Sequence, residues 1–247
     1  MIVLLPPSET KRAGGDGPPL KVPDLSWPEL APVRDELVTE LVDLAADPPA
    51  CRRALGISEA QDAEIQRNAA LRTAETLPAI RRYTGVLYDA LDVESLSGAA
   101  ASRARARLAV GSALFGLLRA DDRIPAYRLS GTSKLPGRPG LATRWRGALE
   151  PVLADLAARE LVVDLRSGAY MGLGRLESAV RVDVLTEHAD GRRTVVTHFN
   201  KAHKGRLARA LAAGRSDPDD AAAVAAVARR AGMRVERDGN QLTIVVS

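Results

Sequence analysis

Cysteine is almost missing from this chain of 247 residues, which contains only Cys51. A single thiol cannot form an intramolecular disulfide, and it cannot supply the several thiolates of a structural zinc site. A chain of this length can fold around its own core without disulfides. This cysteine usage is typical of proteins from a reducing cytoplasm.

Histidine is also scarce, and the three histidines are His188, His198 and His203. His198 and His203 are five positions apart, which does not place both on one face of a helix. No carboxylate joins them at the spacing of metal ligands. The sequence therefore predicts no metal site, and it implies no cofactor.

Long apolar runs and aromatic rings are both lacking. Aromatic residues make up 3% of the chain and hydrophobic residues 46%, so the core must consist mainly of Leu, Val, Ile and Ala. No apolar run approaches the roughly 18 to 20 residues that cross a membrane, and the first residues lack the features of a signal peptide. We expect a soluble, cytoplasmic monomer that does not contact membranes.

The chain carries a moderate excess of positive charge, with a net charge of +4 and a pI near 9.5. Such a charge suits polyanionic partners, but many enzymes that act on nucleotides or acidic metabolites have a similar one. The distribution of the charge is therefore more informative than its total.

The chain begins with a strand-like run, Met1 to Leu5, followed by the polar segment PPSETKR. Ser8 and Lys11 have the Ser-x-x-Lys spacing of penicillin-recognising enzymes, in which a helical turn brings the amine to the serine. Here two prolines precede Ser8 and the partner motifs are absent, which argues against an acyl-serine enzyme. A hydroxyl and an ammonium beyond a strand end favour binding of a phosphate or carboxylate; the alternative is a solvated strand end.

Several strands can be predicted from the pattern of apolar residues. The run from Leu161 to Leu165 is apolar throughout and predicts a buried central strand. Alternation around residues 190–191 and again around 238–240 predicts two β-hairpins.

Helices are predicted over residues 201–213 and 217–231, and after the capping-box pattern of Ser26 and Glu29. Together with the strands they predict an α+β fold. We expect one compact domain over residues 1–247, in which helices flank a mixed β-sheet, with a helical insertion at roughly 26–108.

A turn inside the helical region has two interpretations. The segment Ala54-Leu55-Gly56-Ile57 precedes a capping-box pattern that starts at Ser58. A helix, a hairpin containing Leu-Gly-Ile and a second helix outline a helix-hairpin-helix element, whose backbone amides can bind a phosphate. Two amphipathic helices joined by an ordinary turn are the simpler interpretation, and the pattern favours it.

Positive charge is concentrated in residues 119–147, where seven arginines or lysines and two aspartates give +5. Tyr127 and Trp145 lie in the same segment. Arginines with interleaved rings are typical of surfaces that neutralise phosphates and stack on bases. A solvated basic loop is the alternative.

A second basic run follows the first hairpin and contains Lys201, Lys204, Arg206 and Arg209, with no acidic residue over 194–215. Cations at the start of a helix oppose the helix macrodipole and lower stability slightly. An anionic partner is one explanation for their presence, and a merely exposed basic helix is the other.

Six segments occur in the order, and with the gaps, of one known family. They read MIVLLPPSETKR, YTGVLYDALD, SALFGLLRADDRIPAYRL, RWRGALEPVL, VVDLRSGAYMGL and HFNKAHKGRLARAL, and they span nearly the whole chain. In these segments the chain resembles the YaaA family of peroxide-stress proteins.

The resemblance implies a compact α+β domain with a positively charged cleft and a helix-hairpin-helix element. It also implies binding of duplex DNA and a role in limiting intracellular iron and oxidative DNA damage during peroxide stress. The residues that would line the cleft are Ser8, Lys11, Tyr83, Tyr88, Arg119, Tyr127, Arg128, Trp145, Ser167, Tyr170, Lys201 and Lys204.

Two functions remain open from the sequence. One is binding of duplex DNA; the other is an enzyme that acts on a nucleobase, a nucleotide or another small anionic ligand in the same pocket. The candidate catalytic residues are Ser8, Lys11, Tyr170 and Lys201, with Lys11 holding an anion while Tyr170 or Lys201 moves a proton. The sequence offers no convincing carboxylate base, so whether the protein is an enzyme stays undecided.

Overall fold

Parallel strands form the centre of one large sheet in the computed structural model. The structure describes residues 1–195 and 197–246, without the side chains of residues 197–199. The strands are β1 (Ile2–Leu5), β2 (Leu77–Pro78), β3 (Leu108–Ser112), β4 (Gly116–Arg119), β5 (Arg123–Ile124), β6 (Val162–Asp164), β7 (Val180–Glu187), β8 (Arg193–Thr194), β9 (Arg234–Asp238) and β10 (Gln241–Val246). The helices are α1 (Ala31–Leu44), α2 (Pro48–Leu55), α3 (Ala63–Ala69), α4 (Ala79–Arg82), α5 (Val86–Leu91), α6 (Gly98–Arg107), α7 (Leu141–Arg159), α8 (Gly168–Met171), α9 (Thr197–Ala213) and α10 (Ala221–Arg230).

The order of strands across the main sheet is β4-β3-β1-β6-β7-β10-β9, and β8 pairs with β7. β1 pairs in parallel with β3 and β6, and β7 pairs in parallel with β6 and β10. β4, β8 and β9 are antiparallel to their partners. The predicted single domain with a mixed sheet and flanking helices is confirmed; because its central strands are parallel, the fold is α/β.

β1 is an interior strand of the sheet, with β3 on one side and β6 on the other, and its four residues are all apolar. Every residue from Ile2 to Leu5 is at most 1% exposed. A strand with neighbours on both sides and helices over both faces needs such a continuous apolar run. The end of β1 therefore lies between β3 and β6, and the loop that carries Ser8 and Lys11 begins there.

Most predicted elements are present at the expected places. The run at 161–165 contains β6, and the two predicted hairpins are β7–β8 and β9–β10. The helices predicted over 201–213 and 217–231 correspond to α9 and α10. In the described part of the chain, no helix is both long and apolar enough to span a membrane.

The capping box predicted at Ser26 is wrong. The Ser26 amide and hydroxyl both donate to Oδ1 of Asp122, at 3.1 and 2.8 Å, and the Arg119 amide donates to Oδ2 at 2.9 Å. A buried carboxylate needs such donors, so Asp122 takes the groups that would have capped a helix. Helix α1 begins only at Ala31, after a left-handed Trp27 with φ 57°.

Helices α1 to α6 lie between β1 and β3, in the region where the helical insertion is predicted. Within it α2 ends at Gly56, whose φ of 63° is easily reached by glycine. The capping box predicted at Ser58 is present, since Gln61 Oε1 accepts from the Ser58 amide at 3.2 Å. Two helices joined by a short turn therefore exist here; that they form a phosphate-binding helix-hairpin-helix element stays a prediction.

Candidate functional site

The candidate site lies at the carboxyl ends of β1, β3 and β6. From β1 the chain continues to β3 on one side, whereas β6 lies on the other side of β1. In sheets of parallel strands, ligands bind beyond the carboxyl ends at the point where the strand order reverses. The loops that follow β1 and β6 carry Ser8, Lys11, Ser167 and Tyr170, so the topology brings these four predicted residues to one edge.

Lys11 extends its amine over two tyrosine rings. Its Nζ atom lies 4.2 Å from the ring centroid of Tyr127 and 5.4 Å from that of Tyr83. It donates to the main-chain oxygens of Ser8 and Glu9, at 3.1 and 3.3 Å.

The surroundings of the amine disfavour its charged form. Burial, and then the nearby Arg128 guanidinium, lower the pKa of Lys11 to about 7, with a smaller lowering contribution from Arg67; Glu64 and Glu9 partly oppose this. The two carboxylates are engaged elsewhere, because Glu9 pairs with Arg128 at 3.1 Å and Glu64 with Arg67 at 2.5 Å. Lys11 is therefore a partly neutral amine at neutral pH.

Beneath Lys11, three hydroxyls form a buried chain. The Tyr127 hydroxyl is 2.8 Å from the Tyr83 hydroxyl and 2.8 Å from Ser112 Oγ, which accepts from the Phe115 amide at 3.0 Å. Tyr83 and Tyr127 are no more than 2% exposed, and burial raises the pKa of both phenols. These rings support Lys11 from below, so they are not exposed surfaces for stacking on a base.

Ser8 and Tyr88 hold the loop after β1 in place. The Tyr88 hydroxyl donates to the Pro6 oxygen at 2.8 Å. The Ser8 hydroxyl accepts from the Thr84 amide at 3.1 Å and donates to the Thr10 oxygen. Both side chains thus use their hydroxyls within the protein, and their contacts fix the backbone on which Lys11 stands.

The loop after β6 is held by a buried ion pair. Asp164 accepts from Arg166 Nε and Nη2 at 2.9 and 2.8 Å, and both side chains are at most 2% exposed. Farther along, the Tyr170 hydroxyl accepts from the Gly131 amide at 3.3 Å, and burial raises the pKa of this phenol. Ser167, which lies between Arg166 and Tyr170 in the sequence, is exposed.

α9 carries both predicted lysines, and the contacts of Lys204 place its amine beside the loop after β6. Lys204 donates from Nζ to the Leu165 oxygen at 3.1 Å. Burial lowers the pKa of the Lys204 amine, and the negative charges of Asp183 and Asp164 partly offset this shift. Lys201 is exposed, one turn earlier on the helix. His198 lies outside the described side chains.

Trp145 and Arg119 do not reach this edge. Trp145 is fully buried in the core and donates from its indole nitrogen to the Ala113 oxygen at 2.8 Å. Arg119 is paired with Ala109 near the amino end of β3, and its guanidinium lies 4.9 Å from the centroid of the Trp27 ring. Both are structural residues in this fold, although sequence resemblance includes them in the cleft.

The positive segment 119–147 is largely neutralised by acidic groups from elsewhere in the chain. Arg144 pairs with Glu36 and Glu40, at 2.9 and 2.5 Å, and Arg138 also pairs with Glu40. Arg123 forms an ion pair with Asp16. The excess of +5 is therefore not one continuous free surface.

A groove of about 340 Å³ opens beside the loop that carries Lys11. Its lining residues are Glu9, Arg53, Ala54, Leu55, Gly56, Arg128, Ser130, Thr132, Ser133 and Lys134. The groove thus joins the turn after α2, the loop after β1 and the first part of the basic segment. Arg53 was not expected here, because only proximity in the folded chain associates it with Arg128 and Lys134.

Among the described residues, no group of three or more His, Cys, Asp or Glu side chains is arranged to hold a metal ion. The polar groups at this edge are instead amines, guanidiniums and hydroxyls. Such groups bind anions and move protons.

Comparison with known proteins identifies the family. The family model described as peroxide stress protein YaaA matches residues 1–235. The chain belongs to this family. A UPF0246 protein of Corynebacterium efficiens is 49% identical over the full length of both chains, and one of Streptomyces coelicolor is 45% identical over 96% of this chain and 93% of its own. A more distant relative, an uncharacterized protein of Campylobacter jejuni, is 25% identical over 84% of this chain and 82% of its own.

Proposed function

We propose that the protein acts in the peroxide-stress response by binding duplex DNA along the groove and limiting iron-dependent oxidative damage there. The observation that carries the proposal is the charge of the groove: Arg53, Arg128 and Lys134 face a single carboxylate, Glu9, which gives three minus one, or +2. Membership of a peroxide-stress family supplies the physiological setting.

The groove has the chemistry that phosphates require. Arg128 is held by Glu9, whereas Arg53 and Lys134 are exposed and have no ion-pair partner among the described residues. The hydroxyls of Thr132 and Ser133 lie in the same wall. Lysines, arginines and hydroxyls bind phosphate oxygens without reading sequence, so we expect binding with little sequence preference.

The turn after α2 gives the groove its rigid side. The Lys134 amide donates to the Ala54 oxygen at 3.4 Å, which ties the basic segment to the helical region. Arg52 is fixed by Asp62, with its Nε atom 2.8 Å from Oδ1. A rigid pair of walls lets the cations meet successive phosphates with little loss of conformational freedom.

Fluorescence anisotropy with an end-labelled duplex, measured over a series of salt concentrations, tests the proposal. Each lost phosphate contact should reduce the slope of log affinity against log salt by about 0.9, so Arg53→Ala with Lys134→Ala should flatten it by roughly twice that. Arg237→Ala, which removes an exposed cation from the edge strand β9, should leave the slope unchanged. Equal slopes for all variants, or no binding at low salt, would refute DNA binding in this groove.

A second candidate function is catalysis on a nucleobase, a nucleotide or another small anionic ligand. The partly neutral amine of Lys11, standing over a chain of three hydroxyls, favours it, because simple phosphate binding needs a full cation. Calorimetric titration with nucleotides, repeated with Lys11→Ala, tests this candidate. Tight nucleotide binding that depends on Lys11, without binding of duplex DNA, would support it over the first.

A further inference from the structure

We infer that Lys11 is a nucleophile that forms an imine with the aldehyde of an abasic site in DNA, an inference that rests on the proposed DNA binding. An abasic deoxyribose opens to a free aldehyde at C1′, and an amine that can lose its proton is the side chain that condenses with it. Three features of the structure carry the inference.

The first feature is the freedom of the amine from ion pairing. The carboxylates that act on it, Glu9 and Glu64, are each engaged by an arginine. The amine itself donates only to main-chain oxygens in the described part of the chain. Neutral acceptors of this kind hold an amine in position without requiring its charge.

The second feature is the position of the loop that carries Lys11, which borders the groove through Glu9. Glu9 accepts a hydrogen bond from Lys11 through its main-chain oxygen, and Glu9 and Arg128 both line the groove. A DNA strand held by Arg53 and Lys134 would therefore run past the loop that carries Lys11. A sugar without a base could approach the amine more closely than a normal nucleotide.

The third feature is the surroundings of the amine, which keep much of it neutral near pH 7. Burial and the charge of Arg128 lower the pKa, and Arg67 from α3 acts in the same direction. Glu9 and Glu64 oppose them. Only the neutral form has the lone pair that attacks a carbonyl carbon.

The chemistry needs only the amine and the aldehyde. The Lys11 lone pair attacks C1′, and the carbonyl oxygen takes a proton to give a carbinolamine. Loss of this hydroxyl as water leaves a carbon–nitrogen double bond between C1′ and Nζ. The nitrogen loses one proton on attack and a second on dehydration to the neutral imine, and no oxidant, reductant or further reactant is required.

The test uses the full chain, a duplex with one abasic site, and sodium borohydride, which reduces an imine to a stable amine. We expect a covalent protein–DNA adduct with the wild type and its loss in Lys11→Arg, which keeps the cation but lacks a nucleophilic amine. Lys21→Arg is the matched control, because Lys21 is an exposed lysine outside the site. It should retain the adduct.

Two outcomes would overturn this inference alone. One is a wild type that binds the abasic duplex in anisotropy but gives no adduct, which leaves DNA binding intact. The other is an adduct that persists in Lys11→Arg and is lost in Lys134→Arg, which would assign it to the exposed groove lysine. Failure of the wild type to bind any duplex would instead remove the proposed function together with this inference. Melting curves of each variant distinguish unfolding from loss of the nucleophile.

Discussion

The amine of Lys11 lies 4.2 Å from the centroid of the Tyr127 ring, over a phenol that is itself buried. A ring face attracts an ammonium, yet the loss of water around the amine is the larger effect, and the pKa is lowered to about 7. The loop after β1 therefore carries a lysine that gives up its proton far more readily than an exposed one.

The first prediction concerns the dependence of stability on pH. The ordinary pKa of a lysine is 10.5, and that of Lys11 in the folded protein is about 7. Between these values the unfolded chain binds the additional proton, so stability should rise as pH increases from about 7 towards 10.5, by at most about 1.4 kcal/mol per pH unit. Below pH 7 both states are protonated and this contribution no longer changes.

Lys11→Met should remove this rise. Urea unfolding of the wild type and the variant, followed across the alkaline range, measures it directly. Curves of stability against pH that remain parallel from pH 7 to 10.5 would show that the Lys11 amine titrates normally in the folded protein.

The second prediction concerns the hydroxyl chain. Tyr127→Phe removes the central hydroxyl and leaves both Tyr83 and Ser112 without that partner, whereas Tyr83→Phe leaves the contact between Tyr127 and Ser112 intact. Each buried hydroxyl left unsatisfied costs about 1–3 kcal/mol. Tyr127→Phe should therefore lower the free energy of unfolding more than Tyr83→Phe does, as measured by urea denaturation. The reverse order would contradict the central position of the Tyr127 hydroxyl between Tyr83 and Ser112.

The third prediction compares two glycines with similar backbone angles. Gly116 and Gly137 have φ of 72° and 66°, so a change to alanine imposes a similar backbone penalty of about 1–2 kcal/mol at both. At Gly116 the added Cβ would lie 2.6 Å from the Trp145 ring, while at Gly137 it would meet nothing within 4 Å. Gly116→Ala should thus be the more destabilising by about 1–3 kcal/mol, as measured by denaturant unfolding; equal losses would mean that the ring moves aside.

Features set by local chemistry could be predicted from the sequence. Apolar runs and turn residues predicted β6 and both hairpins, and the capping box at Ser58 formed as its pattern indicates. The same pattern at Ser26 failed because Asp122, 96 positions away, takes the donors.

The site was harder to predict because it also depends on contacts between residues that are far apart in the sequence. Its loops could be assigned from Ser8 and Lys11, but the neutralisation of Arg144 by Glu36 and Glu40 depends on side chains that meet only in the folded chain. The burial of Trp145 likewise follows from packing across α7 and the sheet, and composition alone gives no sign of it.

The fourth prediction concerns the ion pair behind the site. Asp164→Asn leaves the Arg166 guanidinium buried without its counter-charge, which should cost about 3–5 kcal/mol. Arg166 also donates to the Gly174 oxygen at 3.1 Å, so Arg166→Met in addition removes a contact that anchors the loop carrying Tyr170. Asp164→Asn combined with Arg166→Met removes the stranded charge, and the double variant should be less destabilised than the sum of the two single variants.

A double-mutant cycle by denaturant unfolding measures this coupling. Strict additivity would show that each side chain contributes separately. If the coupling is present, the ion pair holds the loop after β6 against β1, where Asp164 lies opposite Leu4 in the register. Folded single variants should then bind duplex DNA more weakly, although neither residue lines the groove. The loop after β6 carries Tyr170, whose hydroxyl accepts from the Gly131 amide, and Gly131 lies between Ser130 and Thr132 of the groove wall. Without its anchor this loop would no longer hold the groove wall in place.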